Sequence, residues 1–298
     1  MDESSLSYRL LAILFPIFGI VAAGYFYGRK HKPEMAVANR LNMDVFVPAL
    51  VFAAMAGKSF DLVAYAPLAL GGFLVLATCG LLAWPLARLC GVQPKTLVPP
   101  MLFNNSGNIG LPLAVLAWGE DALPAAVILF MVENTLHFSF GARLLDPTTR
   151  LLTLWRIPVV FAAIAGLTVA LLKLPIWGPA LIAIKMLGDV SVPLLLFSLG
   201  VRMTDVSFGE WKLAVGSAVL RPVAGMGIAW VVIQLLGLEG RDAAMLFVFG
   251  AFPPAVLNFL FAERYRQEPQ RVASIVLIGN LAALVFLPLA LGLVLTRP

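Results

Sequence analysis

The sequence predicts an all-α integral membrane protein: ten transmembrane helices arranged as two inverted five-helix repeats, with broken helices in the fourth and ninth spans that cross. Three observations carry this. The 298 residues are 61% hydrophobic and only 12% charged, with a mean hydropathy of +0.94, whereas soluble domains carry about 25% charge. Apolar stretches of about 20 residues, long enough to cross a bilayer as helices, recur ten times. A nine-residue segment in the first half of the chain returns in the second.

The spans fall at 8–28, 38–57, 62–88, 95–118, 121–143, 152–173, 180–201, 211–236, 241–262 and 270–295. The chain opens on "MDESSLSYRL", acidic and without the basic leader of a cleaved signal, so the first run is expected to be retained. The second span carries "DVFVPALVF", and the third is an unbroken apolar run. The fourth contains "FNNSGNIGLP", which places asparagines, glycines, a serine and a proline where leucine is usual. The fifth carries "MVENTLH". At the midpoint "LLDPTTRLL" breaks the rhythm and divides the chain into units 1–146 and 147–298. The seventh span repeats the second as "DVSVPLLLF". The eighth holds Arg221, the ninth "FGAFPPAVLNF", and the tenth Asn280.

Lysines and arginines are distributed unevenly between the loops. Fourteen lie on one side (Arg29, Lys30, Lys32, Arg40, Arg88, Lys95, Arg143, Arg150, Arg156, Arg202, Lys212, Arg264, Arg266, Arg271) and six on the other (Arg9, Lys58, Lys173, Lys185, Arg241, Arg297). The richer side is expected to be cytoplasmic, with both termini facing outward. The net charge of +5 arises from these short loops and does not predict a nucleic-acid partner. Cys79 and Cys90 form no metal or disulfide pattern and are expected to be buried packing residues. His31 is expected to be solvated among loop bases, and Trp84, Trp118 and Trp155 to lie near the interfaces.

In the repeat, Asp44/Asp189, Val45/Val190, Val47/Val192, Pro48/Pro193, Leu50/Leu195 and Phe52/Phe197 match at an offset of 145 residues. Asn134 and Asn280 correspond at 146. Five spans per unit is an odd number, so the halves must cross the bilayer in opposite senses. Secondary transporters are often built this way, with a site near the midplane formed by discontinuous helices. Adding 145 to Asn108 and Ile109 gives Pro253 and Pro254, so the two interrupted spans are symmetry mates.

Irregular backbone at membrane depth is tolerated only inside protein or beside a watery cavity. The glycines Gly107 and Gly110 and the neighbouring asparagines can unwind a turn, after which Pro112 suits the first turn of a restarting helix. Pro253 and Pro254 are expected to play the same part in the ninth span. Two helix N-termini would then converge at mid-membrane as an anion-attracting centre without a fixed cation. Asn104, Asn105, Ser106, Asn108 and Asn258 are the candidate binding residues, with Asn134 and Asn280 as polar support. Glu133 and His137, one turn apart, read either as a proton-carrying pair or as a satisfied polar pair. Arg221 could pair with Glu133 or face an anionic substrate. Asp44 and Asp189 are expected to bond their own helices beside Pro48 and Pro193.

Four segments, "NNSGNIGLPLAV", "LLDPTTR", "LGDVSVPLLLFSLGVRM" and "AFPPAVLNFLFAERYRQEPQRVASIVLIGNLAALVFLPL", resemble the auxin efflux carrier family of bacterial permeases, related to the plant PIN-FORMED carriers. The resemblance implies a fold like that of the bile-acid, arsenite and riboflavin transporters. It also implies a dimerising scaffold of spans one, two, six and seven and a mobile transport domain of spans three to five and eight to ten. The fourth and ninth helices would cross at Pro112 and Pro253 or Pro254, with substrate beside the crossing. In the plant branch an asparagine and a following small hydroxyl residue hold the substrate carboxylate, and Asn105 and Ser106 match them. The long cytoplasmic loop of the plant members has no counterpart here, and bacterial members are associated with small carboxylates.

The expected function is therefore secondary transport of a small organic anion by elevator-type alternating access, in a bacterial inner membrane and as a homodimer. A proton gradient is the expected energy source, sodium the alternative, and no bound cofactor or metal is expected. A channel, a non-transporting receptor or a membrane-embedded enzyme are readings from other classes. The enzyme reading lacks an HExxH motif, facing catalytic aspartates or a serine–histidine arrangement.

Overall fold

A computed structural model of the chain describes residues 5–56, 62–149, 157–204 and 211–295. Lys58, Arg150, Trp155, Arg156 and Arg297, which entered the charge, loop and interface readings, lie outside the described residues. Within them the chain is helical, with one isolated β-bridge and no strand. Hydrocarbon offers no water to unpaired amides, so apolar runs satisfy their backbone internally as helices.

In chain order the helices are α1 (Leu6–His31), α2 (Ala36–Met55), α3 (Leu62–Leu89), α4 (Pro94–Leu102), α5 (Ser106–Trp118) and α6 (Glu120–Leu145). They continue as α7 (Pro158–Leu171), α8 (Gly178–Arg202), α9 (Trp211–Leu236), α10 (Gly240–Ala251), α11 (Leu257–Arg264) and α12 (Pro269–Leu295). Seven are long and apolar enough to cross a membrane: α1, α2, α3, α6, α8, α9 and α12. The fourth and ninth apolar runs are instead two short helices each, because the chain is extended at Phe103 and again at Phe252. The sixth run is described from residue 157 onward. Phe15, Phe26, Phe161 and Leu235 are exposed on outer faces. So much uncovered apolar surface is expected of a lipid-facing wall.

α1 packs mainly along α8, and α2 against α7 and α8. α9 packs on α3, α10 and α12, while α3 also holds α4 and α6. The two groups touch where α1 meets α5 and α12, α8 meets α5, and α2 meets α6. The α1–α8 crossing is close because it lacks side chains: a methyl on Gly200 would overlap the Val21 carbonyl, and one on Gly24 the Phe197 carbonyl. Small residues allow membrane helices to approach this closely and gain dispersion energy.

Two packing expectations are corrected. Cys90 is exposed, because it lies in the turn that follows α3; only Cys79 is buried. Asp44 and Asp189 are exposed and make no hydrogen bond within the described residues. Inside a continuous helix the nearby amides are already engaged, so no free N–H remains for such a bond. At Asp44 the helix widens into a π turn (Asn42–Phe46), and Asn42 reaches across to donate to the Ser191 carbonyl at 3.3 Å.

Candidate functional site

A broken span strands backbone donors and acceptors that must find partners. Here the two breaks satisfy each other. Asn104 and Pro254 pair in the antiparallel bridge, the Asn105 amide donates to the Pro253 carbonyl at 2.7 Å, and the Ala255 amide donates to Phe103 at 3.0 Å. Side chains complete the crossing reciprocally. Asn104 Nδ2 donates to the Phe249 carbonyl near the end of α10 (2.9 Å), and Asn258 Nδ2 donates to the Phe103 carbonyl at the end of α4 (3.1 Å). Each broken span thus caps the other. Asn280 supports the crossing from α12, donating to Pro254 and Val276 carbonyls and accepting from Asn105 Nδ2 at 2.9 Å.

The local chemistry differs from the sequence reading in three ways. Pro112 opens the regular α-helical part of α5 (Leu111–Trp118), after the π turn with which that helix starts, whereas Pro253 and Pro254 are in no first turn: they occupy the extended crossing, and α11 begins at Leu257. Proline suits extended backbone and brings no N–H that would need a partner there. The chain unwinds at Phe103–Asn105, ahead of the glycines, and Ser106–Gly110 forms a π turn. Gly107 and Gly110 instead make room for rings: an added methyl would stand 2.9 Å from Phe130 and 2.7 Å from Phe252. Asn104 rather than Asn108 stands opposite Pro254, and the helix-ending residues Phe103 and Phe252 are 149 positions apart, one turn more than the offset of 145.

Glu133 lies beside the crossing and is buried. Its Oε2 accepts from Ser106 Oγ (3.3 Å) and Asn134 Nδ2 (3.0 Å), and its Oε1 lies 3.0 Å from His137 Nδ1. With the proton on Nδ1, all three neighbours donate to the carboxylate. The imidazole stacks on Phe103 with centroids 4.1 Å apart and meets Phe261 edge-on at 4.9 Å. The aromatic ring of the break itself therefore fixes the histidine. A third π turn, His137–Gly141, begins at this residue; such turns recur at functional sites.

Arg221 does not pair with Glu133. It is fully buried in α9 and donates through Nη1 to the Gly250 carbonyl at 2.7 Å, while Nε and Nη2 have no partner among the described residues. Gly225 and Gly250 pack backbone to backbone there, which brings the last carbonyls of α10 within reach of the guanidinium. A cation at a helix C-terminus offsets the negative end of its dipole.

Asn104, Asn105, Asn108, Glu133 and His137 line one cavity of about 170 Å³, together with Gly107, Asn134 and the α11 start. For scale, a dry cavity of about 150 Å³ accommodates benzene. The space suits a ligand of a few heavy atoms.

Residues 148–291 match the family model described as "Membrane transport protein". Auxin efflux carrier component 1 of Arabidopsis thaliana is 31% identical over 169 residues, 51% of this chain. The chain spans only 27% of that carrier's length. An uncharacterised transporter of Methanocaldococcus jannaschii is 20% identical across 91% of this chain and 94% of its own. A candidate malonate transporter of Rhizobium meliloti is 23% identical across 92% of each. The chain is similar to auxin efflux carriers and to other membrane transporters.

The matched family model and the relatives are described as membrane transporters, not enzymes. The structure gathers Asn104, Asn105, Asn108, Glu133, Asn134 and His137 around one cavity. Ser106 and Gly110 face a void of about 10 Å³ on the other side, room for about one water, although the Ser106 hydroxyl reaches Glu133. Asn258 and Asn280 hold the crossing, while Pro112 and Arg221 lie away from the cavity lining. Asn39 of α2, and Ser198 and Arg202 of α8, complete the lining, with Ser198 Oγ donating to Asn39 Oδ1. Sequence reading missed these three, since Arg202 scored only as a loop charge. Their nearness to the "DVFVPALVF" and "DVSVPLLLF" segments was the available signal.

Proposed function

We propose that this transporter is a secondary carrier of a small carboxylate. The chain would have ten spans in two inverted repeats, the fourth and ninth being broken, and would sit in the inner membrane with both termini outside. Two features support the repeat: both breaks end a helix at a phenylalanine, and Asn134 and Asn280 each donate to the carbonyl four residues back. The elevator reading draws on the packing. α1, α2, α7 and α8 would form the scaffold, and through it a homodimer, while the remaining helices would move as the transport unit.

One observation carries the reading: the hydroxyl at the start of the restarted helix α5 donates to the buried Glu133 beside a small, largely apolar cavity into which a few asparagines also reach. A carboxylate seated at that helix N-terminus would lie close to an ionised Glu133, and like charges in a low dielectric repel strongly. Protonation of the Glu133–His137 pair relieves the repulsion, so anion and proton would travel together. Proteoliposomes loaded with purified protein test this. Uptake of radiolabelled malonate should follow an inward proton gradient and be lost in E133Q. Uptake indifferent to the gradient in the wild type would count against coupling through this pair.

A sodium-coupled reading has its own support. Asn104 Oδ1 and Asn258 Oδ1 are buried acceptors with no partner among the described residues, and hard cations bind such oxygens. Transport that requires sodium at constant pH would favour it over the proton.

A further inference from the structure

A second cavity, of about 600 Å³, runs along α1 where that helix faces α8 and α12. Its walls are apolar for most of their length, with Ile17 and Phe26 on α1 and Leu284 on α12. Phe26 and Leu284 are exposed, so the cavity opens onto the lipid-facing wall. From Ile17 to Arg29 the lining climbs twelve residues of α1, about 18 Å at about 1.5 Å per residue. Half of a hydrocarbon core of about 30 Å is about 15 Å, so the groove is as deep as one leaflet. At one end stands Arg29, in the last turn of α1 and exposed. Its guanidinium lies 6.0 Å from the Tyr25 ring centroid and has no carboxylate partner among the described residues. The wall nearest the crossing is made by Ile109, in the π turn of the first break, and by Asn280, which holds the Pro254 carbonyl.

Apolar walls that open sideways onto lipid are covered at least cost by hydrocarbon chain. The volume is about four times that of a benzene-sized cavity of about 150 Å³, enough for much of an acyl chain. A wholly apolar occupant would use the walls and leave the guanidinium unmatched. Arginine forks pair with phosphate oxygens, and basic pockets between membrane helices take anionic headgroups. Basic residues in the last turn of a helix also offset its dipole. Lys30 and His31 serve that purpose equally, yet of the three Arg29 alone lines the cavity. We propose that this cavity binds one anionic phospholipid, with an acyl chain along the groove from Leu284 to Ile17 and its phosphate on Arg29. The chain fills the seam where α1 meets α5 and α12. Lying against Ile109 and Asn280, it braces the crossing, so the bound lipid stabilises the fold.

The test titrates the purified full chain in detergent with dioleoyl phosphatidylglycerol and, separately, dioleoyl phosphatidylcholine. Bound lipid is counted by native mass spectrometry, and the unfolding temperature is followed in parallel. The wild type is expected to bind phosphatidylglycerol about tenfold or more tightly than phosphatidylcholine, the worth of one charge-assisted contact, and to unfold at a higher temperature with it. R29Q should lower the phosphatidylglycerol affinity to that of phosphatidylcholine, while K30Q, outside the lining, keeps it within about twofold. A22W, at an exposed lining position, fills part of the groove and should weaken both lipids; it decides the question if R29Q does not fold. Four results each overturn the proposal: no preference in the wild type, a preference kept in R29Q, a preference lost equally in K30Q, or binding of both lipids unchanged in A22W. Displacement of phosphatidylglycerol by an equal concentration of glycerol 3-phosphate overturns it in favour of a soluble phosphate.

Discussion

The two broken spans meet the same backbone problem with opposite chemistry. The first break is polar: Asn104, Asn105, Ser106 and Asn108 follow Phe103, and the helix resumes through a π turn lining the cavity. The second is apolar, "FPPAVL", with Asn258 as its nearest polar side chain. The first adds donors, and the second removes them, since its prolines carry no N–H. Polar side chains are therefore concentrated in one of the two breaks, while the other acts as a mould against which it is held. Two segments that meet need not contribute equally to the polarity at their junction.

That comparison can be broken in several ways. The largest effect should come from G250A, since a methyl there would overlap the Gly225 carbonyl and force α10 away from α9. Overpacking of this kind costs about 1–3 kcal/mol and occasionally more, read as a lowered unfolding temperature in detergent, and should loosen both breaks together. E133Q should change stability little while cutting proton-driven uptake by at least about tenfold, as removal of a general proton carrier does. Uptake at wild-type rates would move the titrating group elsewhere. N104A and N258A each remove one reciprocal cap and should destabilise alike, by about 0.5–1.5 kcal/mol for one lost hydrogen bond, since the Phe252 and Ala255 amides still reach the Phe249 and Phe103 carbonyls. Transport should separate them, with N104A the more damaging because Asn104 also lines the cavity.

The smallest effect lies outside both breaks. Thr148 donates its hydroxyl (2.7 Å) and its amide (2.9 Å) to Asp146 Oδ1, and these bonds hold the carboxyl below its usual value. A depressed folded-state pKa contributes stability above the unfolded value, about 3.9, and that contribution disappears as pH falls through the folded value. D146N should flatten this slight acid sensitivity of the half-point loop in pH-dependent unfolding and leave transport unchanged.

Much of this was legible in one sequence because membrane helices announce themselves by length and hydropathy. Seven of the apolar runs appear as long helices within a few residues of their expected ends, α9 at both ends. The breaks were legible too, since nothing else explains "NNSGN" or "FPP" in hydrocarbon. What could not be read was register and approach. Whether a proline begins a helix or lies in the crossing depends on the strand opposite, here Asn104. Arg221 reads in the sequence as a partner of Glu133 or of an anionic substrate, yet the tight Gly225–Gly250 contact gives it a carbonyl instead. Arg202 was hidden among loop charges, because its path to the cavity runs through the packing of α8 on α1 and α2.

The crossing also bears on how such a molecule could move. Two main-chain links and two asparagine clasps rivet the unwound segments to each other, so neither can slide without tearing four bonds at once. Any displacement of one must carry the other along as cargo of a single rigid piece. The amide protons of Asn105 and Ala255, though they belong to the least regular stretch of backbone, should then be among the slowest to exchange with solvent deuterium.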